Sequence, residues 1–158
     1  PGFGLPVRTP VRVPYDEGAN LGYRAFAQSG ATPLFAFGHG LSYTRFSHTG
    51  LTVKRGARLQ LSVTVRNDGD REGADVPQLY LLRRNGATLQ RLVGFERVTL
   101  APGESRRVTM TIDPRLLADF RDGGWSVPRG RYEFAVGRSA VELGERVEVT
   151  LAAARLPP

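Results

Sequence analysis

A β-sandwich, two antiparallel sheets packed face to face, is what this sequence predicts from residue 46 onward. Three observations carry that expectation. Apolar and polar residues alternate in one short run after another, the period of strands with one face buried. Turn-forming clusters (Asn67-Asp-Gly-Asp70, Asn85-Gly86, Ala101-Pro-Gly-Glu104) separate the runs. Only one short helical turn interrupts the series. The predicted class is therefore all-β, with an extended segment on its N-terminal side.

Taken in order, Leu59, Leu61, Val63 and Val65 alternate with Gln60, Ser62, Thr64 and Arg66. Asn67 to Asp70 then reads as a solvated hairpin turn, and His48, without a partner nearby in sequence, as a surface residue. Val76, Gln78 and Tyr80 alternate with Leu79 and Leu81, so the next strand is apolar on both faces. Asn85-Gly86 predicts a tight hairpin whose two central residues both take positive φ. Leu92 to Leu100 reads as one further strand, and Val108, Met110 and Ile112 alternate again. Asp113 caps a helical turn that Pro114 begins and that Leu116, Leu117 and Phe120 anchor. Tyr132, Phe134 and Val136, then Val147, Val149 and Leu151, complete the set. Roughly seven short strands over about 110 residues have the rhythm of an immunoglobulin-like sandwich. With no cysteine in the chain, the Cys–Trp–Cys pattern is missing and a fibronectin type III-like variant fits better. Tyr132, just after Pro128-Arg-Gly130, stands where a tyrosine corner would lie, its hydroxyl bonded to upstream backbone.

The first 45 residues read differently. Four prolines between Pro1 and Pro14 favour extended chain, and a helical turn is expected near Leu21 to Phe26. From Pro33 to Phe46 four aromatic rings and two glycines fall together, with no charge before Arg45. Such apolar surface is costly to leave in water. Gly38 and Gly40 flank His39 and predict a sharp bend. The division expected is residues 1–45 as the tail of a preceding body plus connector, and 46–155 as the sandwich. About forty residues bury too little surface to form a core alone. A start at Pro1, inside a loop-like stretch, suggests a piece of something longer.

The formal net charge is +7, but its basic pairs are short, scattered and interleaved with acids. A nucleic-acid reader needs a continuous basic face with stacking rings, so that class is not expected. No run approaches the roughly 18 apolar residues of a membrane span. Without cysteine there is no disulfide frame or thiolate metal site, and the compartment, cytoplasmic or secreted, stays open.

Candidate chemistry is sparse. Asp16 and Glu17 are adjacent and, in extended chain, point to opposite faces, which makes them a poor acid–base pair. Glu17 suits a structural ion pair with Arg24 better. His39 reads as a loop anchor rather than a proton shuttle. Asn67-Asp-Gly-Asp70 lacks the distal glutamate of a calcium loop, so no metal is expected. Trp125 suits the core better than a sugar-stacking platform, although an exposed row of Trp125 with Tyr132 would make a carbohydrate-binding module.

Tyr15-Asp-Glu-Gly18, Leu21-Gly-Tyr-Arg24 and Pro33-Leu-Phe-Ala-Phe-Gly-His-Gly-Leu-Ser-Tyr43 resemble the C-terminal region of glycoside hydrolase family 3 β-glucosidases. Val65-Arg-Asn-Asp-Gly-Asp70, Gly73-Ala-Asp-Val-Pro-Gln-Leu-Tyr80, Leu92-Val-Gly-Phe-Glu-Arg-Val98 and Leu100-Ala-Pro-Gly-Glu-Ser105 continue the resemblance in order, as do Gly130-Arg-Tyr132 and Val136-Gly137. It implies a retaining enzyme with a barrel-like first domain, an α/β second domain and a fibronectin type III-like third. This chain would hold the end of the second and all of the third. The aspartate nucleophile and glutamate acid/base of that family lie upstream of these motifs, so no catalytic residue carries over and no cofactor is implied. Pro77, where relatives have an ordinary strand residue, suggests an edge or bulge. The role expected is docking: Phe35, Phe37, His39, Tyr43 and Phe46 fasten the sandwich to the catalytic domains of the same enzyme. Detached, the same rings would favour a homo-oligomer.

Overall fold

The computed structural model describes residues 18–121 and 123–157. Among the described residues one helix, α1 (Tyr23–Ser29), precedes the strands. It is longer and later than the expected turn and ends at Gly30, whose φ of 71° lets its N–H close back on the Phe26 carbonyl. The strands are β1 (Phe46–Lys54), β2 (Gln60–Asn67), β3 (Gly73–Asp75), β4 (Gln78–Arg84), β5 (Ala87–Phe95) and β6 (Val98–Leu100). β7 (Ser105–Thr111), β8 (Asp119–Arg121), β9 (Gly124–Val127), β10 (Gly130–Gly137), β11 (Leu143–Leu151) and β12 (Ala154–Arg155) follow.

Two antiparallel sheets, β1-β2-β7 and β11-β10-β4-β5, face each other, and small pairings β12-β9-β8 and β3-β6 close the ends. Between them lies one core. Leu61, Val63 and Val65 of β2 meet Leu79 and Leu81 of β4 and Tyr132, Phe134 and Val136 of β10, all fully buried. This is the all-β, fibronectin type III-like sandwich that the alternation predicts.

The two sheets treat their outer faces differently. On the three-stranded sheet that face is polar: Ser62 bonds Thr109 across the strands at 2.8 Å, and Gln60 bonds Thr111 at 3.2 Å. On the four-stranded sheet it is apolar, with Tyr80, Leu82, Ala135 and Ala140 buried beneath Tyr23, Leu92 and Leu143. β4 is thus apolar on both faces, as its sequence requires.

β1, an outer strand, bulges at Gly50 and Leu51. Their two N–H groups donate to the Glu145 carboxylate of β11 at 3.1 and 2.7 Å, and Arg107 donates to the Gly50 carbonyl at 2.7 Å. These bonds hold the Glu145 carboxyl below the usual glutamate range, Leu51 and Gly50 contributing most.

Several turn chemistries appear as read. Asn85 and Gly86 take φ of 51° and 84° between β4 and β5. Asp113 caps the turn Pro114–Leu117 by accepting from the Arg115 N–H at 2.9 Å. The Tyr132 hydroxyl donates to the Pro128 carbonyl at 2.7 Å, which is the tyrosine corner.

Other expectations need correction. Leu92 to Leu100 is not one strand: the chain breaks at Glu96-Arg97, leaving β5 in the large sheet and pairing β6 with β3. Asn67 is not a solvated turn residue but fully buried. Its amide oxygen accepts from Thr44 Oγ1 at 2.7 Å and from the Gly69 N–H at 3.1 Å, while its amide nitrogen donates to the Arg71 and Leu100 carbonyls at 2.7 and 3.0 Å. His48 is not free at the surface: its Nε2 lies 2.5 Å from Asp75 Oδ2, with side chains 8% and 14% exposed. Pro77 marks no edge, since β4 is a central strand; it is buried in the break between β3 and β4, where a ladder N–H is not needed. Phe120 does not anchor the helical turn but stands out at 59% exposure.

Candidate interaction surface

The connector turns where the sequence places the bend. Gly38 has φ of 80°, and the His39 N–H donates to the Ala36 carbonyl at 3.0 Å. Side chains on either side of the turn divide into two sets. Phe37 turns toward the sandwich and stacks on Tyr23 with ring centroids 4.6 Å apart, yet stays 48% exposed. Leu34, Phe35, Leu41 and Tyr43 face outward, Phe35 at 77% and Tyr43 at 95% exposure. Leu21, Phe26 and Val141 extend the apolar surface, and a groove of about 630 Å³ runs between α1 and the connector, lined by Tyr23, Phe26, Pro33, Phe35 and Val141. Large exposed apolar side chains gathered on one short segment mark a candidate interaction surface.

Of the residues expected to dock, Phe35, Phe37, Tyr43 and His39 lie on this exposed stretch. Phe46 does not. It opens β1 with its ring turned inward, 5% exposed within the core, because the strand's alternation starts there. The His39 ring is exposed and makes no side-chain hydrogen bond among the described residues. The ion pair of Glu17 with Arg24 lies outside the described residues on its Glu17 side; Arg24 itself donates through Nη1 to the Ala19 carbonyl at 2.8 Å.

The residues that hold the connector in place were not evident from sequence. Gln78, 6% exposed, donates through Nε2 to the Gly38 carbonyl at 2.9 Å and the Arg138 carbonyl at 2.6 Å, and accepts from the Tyr80 hydroxyl at 2.6 Å. Tyr23 accepts from the Leu92 N–H at 2.9 Å. A lone amide inside an apolar run, Pro77-Gln78-Leu79-Tyr80-Leu81, is the signal that marks Gln78, since a buried amide must find partners. Burial pushes the Tyr80 hydroxyl well above its ordinary range, with nearby Tyr23 adding to the shift, so it remains a donor.

A second aromatic site is smaller. Trp125 is half-buried against the core and meets Phe120 edge to face at 5.1 Å. Tyr132 is fully buried, so the row of exposed rings a carbohydrate module would need does not form. Arg84 holds this end of the fold, donating to both Asp119 oxygens at 2.8 and 3.0 Å and to the Leu117 carbonyl at 3.3 Å. Arg91 donates to the Leu116 carbonyl at 2.6 Å, and its own pKa is lowered by burial first and by Arg24 and Arg84 second. Among the described residues no group of three or more His, Asp or Glu is placed to hold a metal ion, and no helix is long and apolar enough to cross a membrane.

Residues 75–140 match the family described as a fibronectin type III-like domain. Over 150 residues the chain is 37% identical to thermostable beta-glucosidase B of Acetivibrio thermocellus, covering 87% of this chain and 20% of that protein. Its fold superimposes on the crystal structure of DesR, a beta-glucosidase from Streptomyces venezuelae, with a TM-score of 0.80 at 37% identity, covering 87% of this chain and 19% of that one. The GH3 beta-glucosidase of Bifidobacterium adolescentis gives 0.81 at 33% identity, covering 87% and 21%. The chain thus spans about a fifth of the length of the relatives it matches. In sequence and in fold it corresponds to the C-terminal region of glycoside hydrolase family 3 β-glucosidases, the part in which residues 75–140 match a fibronectin type III-like domain.

Proposed function

We propose that this chain is the docking part of a β-glucosidase-like enzyme that hydrolyses O-glycosyl bonds, and that it carries none of the reacting groups itself. In this reading residues 46–155 are the sandwich and 1–45 the tail and connector that fasten it to the catalytic domains of the same enzyme. The observation that carries the reading is the set of outward rings and aliphatic side chains on the connector, Leu34, Phe35, Leu41 and Tyr43, beside a sandwich whose own core is complete without them. Each ring would contribute about 1.5–3 kcal/mol when fully covered. His39, exposed among them, supplies polar contacts at the same surface.

The test is association with the catalytic body, supplied as a separate polypeptide. Phe35→Ser and Tyr43→Ser should each weaken association by about tenfold or more, from about 1.4 kcal/mol or more lost per ring. The isolated chain should show no turnover of an aryl β-glucoside and should self-associate in sedimentation. Turnover by the chain alone, or a clean monomer whose ring variants leave association unchanged, would overturn the proposal. Titration with cellobiose, read through Trp125 fluorescence, addresses binding of carbohydrate by the sandwich itself. The half-buried indole and fully buried Tyr132 predict no change.

A further inference from the structure

We infer that residues 22–40 are the covering layer of the four-stranded sheet and fold with it, so that the cooperative unit of this module begins at α1 and not at Phe46. The two sheets supply the contrast from which this follows. An antiparallel sheet whose outer face meets water carries polar residues there, and the three-stranded sheet does so through Gln60, Ser62, Thr109 and Thr111. The four-stranded sheet instead places Tyr80, Leu82 and Ala135 on its outer face, two of them completely buried. Leu92, Ala140 and Leu143 of the sandwich pack around them, and the upstream segment completes the cover through Tyr23. Tyr23 lies edge-on to Tyr80 at 6.1 Å and stacks on Phe37.

Polar bonds fix this layer at three places. The Tyr23 hydroxyl accepts from the Leu92 N–H of edge strand β5. The Phe37 carbonyl accepts from the Ala140 N–H at 2.9 Å, and the Gly38 carbonyl from the Gln78 amide. Gln78 also binds Arg138 and Tyr80, so one buried side chain joins the connector, the β10–β11 loop and the sheet face. Without the layer, a buried amide would lose one of its acceptors and an apolar sheet face would open to solvent, both unfavourable. Gly38 fits the arrangement: its φ of 80° and the Gln78 amide packed against it leave no room for a methyl group. The inference does not depend on what seats on the outward rings.

Hydrogen exchange and thermal melting of the 158-residue chain test it. The Leu92 and Ala140 amides should be protected to within about tenfold of the β4 amides, because layer and sheet open together. Deleting residues 1–40, which keeps Thr44 on Asn67, should speed exchange at both amides by about 100-fold and lower the melting midpoint by about 10 °C. Gly38→Ala, which retains every other residue of the layer, should lower the midpoint as well. If the deleted chain does not fold, Gly38→Ala alone decides. A Gly38→Ala midpoint equal to the parent's, rapid exchange at Leu92 and Ala140 beside a protected β4, or an unchanged melt after deletion would each overturn the inference. No catalytic body is present in these measurements, so their failure is separate from failure of the docking proposal.

Discussion

Replacing Asn67 tests the polar centre of the fold most sharply. Its side chain uses all its hydrogen-bonding capacity: two donors go to the Arg71 and Leu100 carbonyls, and one oxygen accepts from Thr44 and Gly69. In Asn67→Ala these four bonds are lost. At about 0.5–1.5 kcal/mol each they would sum to about 2–6 kcal/mol. The Thr44 hydroxyl and the Gly69 N–H can turn partly to water, whereas the Leu100 carbonyl belongs to a residue with no exposed surface. The expected cost is therefore toward the lower half, about 2–4 kcal/mol. With a urea slope of about 2 kcal/mol/M, the denaturation midpoint falls by about 1–2 M at unchanged slope.

Asn67→Asp keeps the shape but turns a second oxygen toward the two carbonyls. Burial and that repulsion raise the introduced carboxyl's pKa above its unfolded value of about 3.9. A raised folded pKa adds stability that is fully present below the unfolded pKa and is lost as pH rises through the folded one. The deficit of this variant should therefore be largest near neutral pH and shrink on acidification. A midpoint for Asn67→Ala within about 0.3 M of the parent, or an aspartate tolerated equally well at pH 7, would refute the reasoning.

Three further outcomes follow from the geometry. Tyr132→Phe removes the bond to Pro128 and should cost about 0.5–1.5 kcal/mol in equilibrium unfolding; an unchanged midpoint would mean that the corner contributes nothing. Phe46→Ala should cost about 3–5 kcal/mol, as for a large core residue, while Phe35→Ser should leave the melt of the isolated chain unchanged and reduce its self-association in sedimentation. Glu145 has a depressed folded pKa, so its contribution is present above the ordinary glutamate value and lost as pH falls through the lower folded one. Glu145→Gln should accordingly be less stable than the parent at pH 7, with the difference closing in melts below about pH 4.

Local chemistry was legible in the sequence and long-range partnership was not. The alternation of Leu61, Val63 and Val65, the Asn85-Gly86 hairpin, the Asp113-Pro114 cap and the tyrosine corner are each set by a few neighbouring residues, and each is found. The break at Glu96-Arg97 has no local signature, because two polar residues inside a strand pattern read as a solvent edge, and only pairing of β6 with β3 shows the crossover. His48 finds Asp75 across 27 positions, a separation that no local pattern reports. At the connector the aromatic content was plain, but identical rings have different fates. Phe46 turns inward because β1 begins there, while Tyr43, three positions earlier, stays in solvent. The inner anchors Tyr23 and Gln78 depend on which sheet face the segment covers, which follows from the assembled sheet.

The bulge in β1 has a bearing on how this module behaves at high concentration. Open β-edges recruit further strands, and a regular rim on the three-stranded sheet would offer amides to any passing chain. Here two of those amides are already taken by Glu145, and the extra residue at the bulge spoils the spacing a newcomer would have to match. Strand addition is thereby disfavoured along that rim of the sheet.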